Sequence, residues 1–319
     1  MPNTEPKKAV HVAVAVIENA ENQILIAKRP GDKHLGGLWE FPGGKVEAGE
    51  SVEIALKREL LEEVNLEVDK LVPLIQIPWQ YESKAVFLDV FSCKPIAGVA
   101  RGCENQEVRW ISRQELHHYH FPPANKGIVN ALTLPNKLLI TGKCSSSTEF
   151  FSKFDKALSS GINLIQIRDF EALTAHPESL FEQFKHRYFK PNANLEFFLN
   201  ASPELCISCG FNYLHLKSKF LVEPDIAQRI SNFARVSASV HNEYELELAN
   251  TLKLDFILVS PVANTLSHPG VKPMGWEKFG YFVTLANMPV FALGGLNELD
   301  IEKAKSYGAQ GVAAISAFW

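Results

Sequence analysis

GKVEAGESVEIALKRELLEEVNL, residues 44–66, is the stretch on which the reading of the chain turns. The glycine-rich turn Phe41-Pro42-Gly43-Gly44 leads into a segment with helical apolar spacing. Val52, Ala55, Leu56, Leu60 and Val64 fall on one stripe at steps of three and four. Glu59, Glu62 and Glu63 lie side by side on another face. Adjacent anions on one helix repel one another, so fold stability alone does not favour them. A hard divalent cation reverses the sign of that energy. Mg²⁺ takes carboxylate oxygens and commonly bridges to phosphate, which makes this segment a candidate metal and phosphate site.

The order Gly44, Glu50, Arg58-Glu59-Leu60, Glu62-Glu63 resembles, in a fixed frame, the box of the Nudix hydrolase family. Asn65 stands where that family usually has Gly. The position ends the helix, where left-handed backbone is wanted, and Asn is the next most tolerant residue. The resemblance implies an α/β/α sandwich and a Mg²⁺ cofactor, with Mn²⁺ as the alternative ion. It implies metal ligands from the Gly43 carbonyl, Glu59, Glu62 and Glu63, and from one further Glu in a later loop. Glu104 occupies that place, with Glu107 as its competitor. Glu62 or Glu104 would serve as general base, and Arg58 would orient the acids.

On either side of the box the chain alternates strands and helices. Residues 8–17 and 23–28 have β character, separated by the polar turn Asn19–Asn22, and predict a β-hairpin. Further strands are expected at Leu71–Ile77, Ala85–Cys93 and Arg109–Ile111, the last followed by a short helix N-capped by Ser112. Phe121-Pro122-Pro123-Ala124-Asn125 is a stiff turn feeding a helix that carries Ile128 and Leu132.

These flanks resemble the MutT, or 8-oxo-dGTP diphosphatase, branch of the family. The resemblance runs through Lys28-Arg29, His34, Glu40-Phe41-Pro42-Gly43-Gly44-Lys45 and the 121–125 turn. It implies that Arg29, His34 and Phe41 hold the nucleotide and that Asn125 reads the oxidised guanine edge. An amide both donates and accepts, so it can detect the acceptor-to-donor reversal that an 8-oxo group introduces. His117, His118 and His120 read as a solvated helix end.

The 319 residues suggest a domain at 1–133 and another at 134–319. Apolar content of 46% fills ordinary cores, and a net charge of −4 argues against duplex nucleic acid as a partner. No apolar run is long enough to span a membrane and the start does not read as a signal peptide, so a cytoplasmic protein is expected. Five scattered cysteines fit a reducing compartment. Cys206 and Cys209 read as small buried residues on a helix.

After Leu134-Pro135-Asn136-Lys137 short apolar strands alternate with helices. Strands are expected at Lys137–Thr141, Asn163–Arg168, Leu195–Asn200, Tyr213–Leu216, Arg235–Val240, Phe256–Ser260, Val290–Leu293 and Gly311–Ile315. Helices are expected at Phe150–Leu158, Pro177–Tyr188, Pro224–Phe233, Glu243–Leu252 and Asp300–Tyr307. This pattern predicts a (β/α)8 TIM barrel with its chemistry at the strand C-termini. A candidate pocket follows: Gln166, Arg168, Asn200, Ser239, His241, His268, Gly294, Gly295 and Ser316, with the Gly pair and Ser316 as a phosphate cradle.

The barrel residues resemble thiamine phosphate synthase and the related thiazole tautomerase, through Gln166-Ile167-Arg168, Ser239-Val240-His241 and Ala292-Leu293-Gly294-Gly295. Ala201 and Phe220 replace that pattern's metal-binding acids, and Phe170 and His268 replace its lysines. Loss of the acids removes the oxygen ligands for Mg²⁺, so no thiamine phosphate synthase activity is expected. A pocket for a thiazole or pyrimidine phosphate remains.

Three readings follow. The chain is a nucleotide-pool sanitising hydrolase for 8-oxo-dGTP; or a hydrolase of thiamine-related pyrophosphates whose barrel isomerises thiazole phosphate; or a hydrolase regulated by a non-catalytic ligand-sensing barrel.

Overall fold

The computed structural model describes residues 9–168, 177–189, 195–265 and 270–319. The chain forms two compact units, Met1–Thr133 with Thr284–Met288, and Leu134–Val283 with Pro289–Trp319. Among the described residues no helix is long and apolar enough to cross a membrane.

The first unit runs β1 (Val10–Ile17), β2 (Gln23–Lys28), β3 (Trp39–Glu40), β4 (Gly43–Lys45), α1 (Val52–Val64), β5 (Leu66–Val68), β6 (Val72–Gln80), β7 (Ala85–Cys93), β8 (Pro95–Gly98), β9 (Val108–Ser112) and α2 (Lys126–Thr133). Its sheets are ordered β4-β1-β7-β6, β3-β2-β9 and β5-β8. β1 is parallel to β7 and antiparallel to β4.

The alternation along β1 explains the layering. Ala13, Ala15 and Ile17 face one core with Leu56, Leu60 and Val64 of α1. Val14 and Val16 face the other, with Ile24, Ile26, Ile77, Ile128 and Leu132. A strand buried on both faces sits between two layers, and the α/β/α sandwich follows.

The predicted β-hairpin of residues 8–17 and 23–28 does not form. The Asn19–Asn22 turn is present: Asn19 Oδ1 accepts from the Gln23 N–H at 2.8 Å, and Asn22 adopts φ 59°. Beyond one bridge between Glu18 and Ile24 the strands part, β1 joining β7 and β2 joining β9. Both strands carry apolar residues on both faces, and separate sheets bury more of that surface than one hairpin would.

The second unit is a closed parallel barrel of β10 (Lys137–Ile140), β11 (Leu164–Ile167), β12 (Glu196–Asn200), β13 (Tyr213–Leu216), β14 (Arg235–Val240), β15 (Phe256–Val259), β16 (Val290–Leu293) and β17 (Gly311–Ala314), as the strand pattern predicts. Leu138, Ile140, Leu164, Phe198, Phe256, Leu258, Phe291 and Ala313 pack in one core. The helix expected at Pro224–Phe233 shrinks to Ile226–Arg229. Only Ile226 within it is buried, and one anchored turn does not propagate. Gly275–Leu285 is a helix that the strand pattern did not predict. Cys206 and Cys209 are buried in and at the end of the helix Pro203–Ser208.

Candidate functional site

Helix α1 is defined at both ends by local chemistry. The Ser51 hydroxyl accepts the Ile54 N–H at 3.3 Å, and Asn65 closes the helix at φ 57°, ψ 39°. The left-handed end expected of Asn65 is therefore present. Between the caps Arg58 acts as a clamp. Its guanidinium reaches Glu50 Oε1 at 2.9 Å, Glu59 Oε1 at 2.9 Å, Glu62 Oε2 at 3.2 Å and the Lys45 carbonyl at 3.3 Å. Glu62 remains the most exposed of the acids that Arg58 holds, at 62%.

The glycine turn exists to admit these acids. A Cβ on Gly44 would stand 2.1 Å from the Glu59 carboxyl carbon, and one on Gly43 would stand 2.2 Å from the Ala13 carbonyl oxygen. The Gly43 N–H donates to Glu63 Oε2 at 3.0 Å. Burial nonetheless pushes the Glu63 carboxyl up to about 7, and the charges of Glu40, Glu104 and Glu59 push in the same direction.

The early loop comes to the same place. Arg29 donates to the His34 carbonyl at 3.0 Å and pairs with Glu40. Lys33 pairs with Glu104 at 2.8 Å. Burial raises Glu40, against the opposing pull of Arg29. Glu104 acts on both Glu63 and Glu40, whereas Glu107 pairs with Arg109. Glu104 thus has the better position of the two loop acids.

Around the turn at 121–125, Phe41 stacks on Phe121 with centroids 5.3 Å apart. His34 meets the ring of Tyr81 edge-on at 5.7 Å. The backbone of Ala124 lies near enough to the Tyr81 hydroxyl to oppose the rise that burial gives it, which places Tyr81 at the turn. Asn125 is only 7% exposed and ends the 3-10 turn Pro123–Asn125. Lys33, Glu40 and Tyr81 were missed by sequence reasoning. Tyr81 lies on no local motif, and only pairing of β6 with β7 brings it to the turn. His117, His118 and His120 are exposed, as a solvated helix end requires.

The donor set suits a hard cation: carboxylate oxygens without thiolate or imidazole, gathered where burial first, and neighbouring carboxylates second, raise Glu63. As placed, no three His, Cys, Asp or Glu side chains among the described residues form a closed ligand group. Arg58 instead supplies the counter-charge to Glu50, Glu59 and Glu62.

In the barrel, a cavity of about 1390 Å³ opens at the strand C-termini. It is lined by Gln166, Arg168, Asn200, Ser239, His241, Gly294, Gly295 and Ser316 together, along with Lys217, Lys272 and Lys278, which the sequence reading did not single out. His268 and Phe170 lie outside the described residues. Gly294 and Gly295 have φ of 106° and 69°, and a Cβ on Gly295 would stand 2.0 Å from the Asn264 carbonyl oxygen. Beneath the floor His215 is fully buried between Ser237 Oγ at 2.9 Å and Ser239 Oγ at 3.0 Å.

The fold and sites define a phosphoanhydride hydrolase domain joined to a TIM barrel. Residues 13–131 match the family described as NUDIX domain, and residues 138–318 that described as Thiamine monophosphate synthase. The 8-oxo-dGTP diphosphatase of Escherichia coli K12 is 34% identical over 125 residues, covering 39% of this chain and 97% of that protein. The CTP pyrophosphohydrolase of the same organism is 33% identical over 124 residues, covering 39% and 91%. An Aquifex aeolicus protein with the provisional name thiamine-phosphate synthase 2 is 26% identical over 187 residues, covering 59% and 99%. The chain belongs to the Nudix hydrolases in its first part and to the thiamine monophosphate synthase family in its second.

Proposed function

We propose that residues 1–133 form a Mg²⁺-dependent hydrolase converting 8-oxo-dGTP to 8-oxo-dGMP and pyrophosphate, followed by the barrel domain at 134–319. The observation that carries the reading is the crowding of Glu40, Glu59 and Glu104 around buried Glu63. Burial of Glu63 among these acids favours added positive charge, which Mg²⁺ bound to polyphosphate would supply. Similarity to 8-oxo-dGTP diphosphatases supports the choice of nucleotide.

Glu59, Glu62, Glu63, Glu104 and the Gly43 carbonyl would hold the ion. When bound, it neutralises phosphate oxygens and acidifies a water. Glu62 or Glu104 takes the proton of the water attacking the β-phosphorus. Glu62 is oriented by Arg58 at 3.2 Å and Glu104 by Lys33 at 2.8 Å. Arg29, His34 and Phe41 seat the nucleotide, and Asn125 tests the edge of the base.

A pyrophosphatase screen with Mg²⁺ tests the reading on 8-oxo-dGTP, dGTP, CTP, thiamine diphosphate and aminopyrimidine pyrophosphate. The highest kcat/KM is expected for 8-oxo-dGTP. A second reading, a thiamine-related pyrophosphate, is favoured by the family of the barrel in the same chain. It prevails if either of the last two substrates is turned over faster than every nucleotide.

A further inference from the structure

The barrel cavity draws positive charge from separate elements. Arg168 follows β11, Lys217 follows β13, Lys272 lies in the segment after β15, and Lys278 sits near the start of the helix Gly275–Leu285. No described residue lining the cavity carries a carboxylate. A pocket walled by one sign of charge concentrates ligands of the other sign. Gln166 gives an independent sign of a ligand. It is 3% exposed, lines the cavity, and its Oε1 has no hydrogen-bond partner among the described residues. A buried acceptor left unmade costs free energy that a donor on a ligand would recover.

The family implies a Mg²⁺ ion here, and the described residues do not fit one. Ala201, next to cavity-lining Asn200, is an apolar side chain 2% exposed, and Phe220 is aromatic. Neither can give an oxygen to a cation. The phosphate charge that a metal would offset is matched instead by fixed ammonium and guanidinium groups.

We propose that the barrel cavity binds a phosphate- or pyrophosphate-bearing small molecule without a divalent cation, with Lys217 and Lys272 as anion-binding residues alongside Arg168 and Lys278. The ligand also carries an N–H or O–H that reaches Gln166 Oε1.

Calorimetric titration of the full chain tests this with inorganic pyrophosphate and with an aminopyrimidine monophosphate, first in EDTA and then in Mg²⁺. In EDTA the acidic site of the first domain repels both probes, so the heat reports the barrel. Saturable binding is expected in EDTA, altered less than about threefold by Mg²⁺ and weakened at least about tenfold in Lys217→Gln/Lys272→Gln. These lysines are exposed, so the variant keeps its fold, which its unchanged circular dichroism confirms. Preference for the aminopyrimidine probe, lost in Gln166→Leu, identifies a phosphomonoester carrying a donor. Tighter pyrophosphate binding that Gln166→Leu leaves unchanged overturns the donor requirement. Binding that requires Mg²⁺, equal binding by the double lysine variant, or no saturation by either probe overturns the anion site.

Discussion

Glu63 Oε2 accepts the backbone N–H of Gly43 at 3.0 Å, tying the last turn of the acidic helix to the glycine strand. That single bond does not offset the cost of burying the carboxylate among other anions, and the group rises from 4.5 to about 7. Between those values the folded chain keeps a proton that the unfolded chain has released, so stability falls as pH rises through the window. The linkage is worth roughly 3 kcal/mol. With chelator present, the thermal midpoint of wild type should drop from about pH 5 to about pH 8, while that of Glu63→Gln should stay level and exceed wild type at the higher pH. Parallel profiles for the two proteins would show that Glu63 is not the group responsible.

Arg58 holds Glu50, Glu59 and Glu62 with one planar fork, a geometry that a lysine ammonium cannot reproduce. Arg58→Lys should lower kcat by at least about tenfold, or ~1.4 kcal/mol of barrier. Its thermal midpoint should move little, because a lysine at 58 keeps the positive charge beside the three carboxylates. Glu62→Gln should show a kinetic loss of at least the same size. An intact kcat in both proteins, measured on 8-oxo-dGTP, removes the acidic helix from the reaction.

How much of this was legible in the sequence follows from the range of each interaction. The stripe and acids of α1 depend on neighbours within a few residues, and Leu56, Leu60 and Glu59 stand where spacing puts them. Asn65 ends the helix where the family resemblance places it, while the sequence reading does not single out the Ser51 cap. The partnership of β1 with β7 links residues far apart in the chain, so the polar turn at Asn19–Asn22 suggested a hairpin that packing overrules. β3 and β4 are too short to show a period. In the barrel, runs such as Phe256–Val259 announce themselves by composition, and strand ends locate Gln166 and Ser239. Lys217 and Lys272 escape notice because nothing in their local sequence marks them. Only closure of the barrel brings the two segments to one cavity.

Asn125 is buried at the end of a turn stiffened by Pro122 and Pro123, so its carboxamide has little freedom to adapt to a wrong partner. On the proposed reading, truncation to alanine would remove the hydrogen bond to the base edge and leave ordinary phosphate chemistry in place. Asn125→Ala should therefore reduce the preference for 8-oxo-dGTP over dGTP by about 1–3 kcal/mol, roughly 5- to 150-fold in the ratio of kcat/KM. The kcat for dGTP should change far less. Equal losses on both nucleotides would make Asn125 a structural residue of the turn.

His215 lies inside the barrel with Ser237 on one ring nitrogen and Ser239 on the other. Burial pushes its imidazole down from 6.5 to about 3. Below 6.5 the unfolded chain takes up a proton that the folded chain refuses until about 3. This contribution to stability is therefore complete above the ordinary value and is lost as pH falls through the window, at roughly 1.4 kcal/mol per pH unit. His215→Gln keeps a polar group between the serines but cannot titrate. Urea unfolding of the full chain from about pH 7 to about pH 4 should weaken steeply in wild type and more gently in the variant, with the difference growing as pH falls. The same slope in both proteins would assign the acid sensitivity to carboxylates instead.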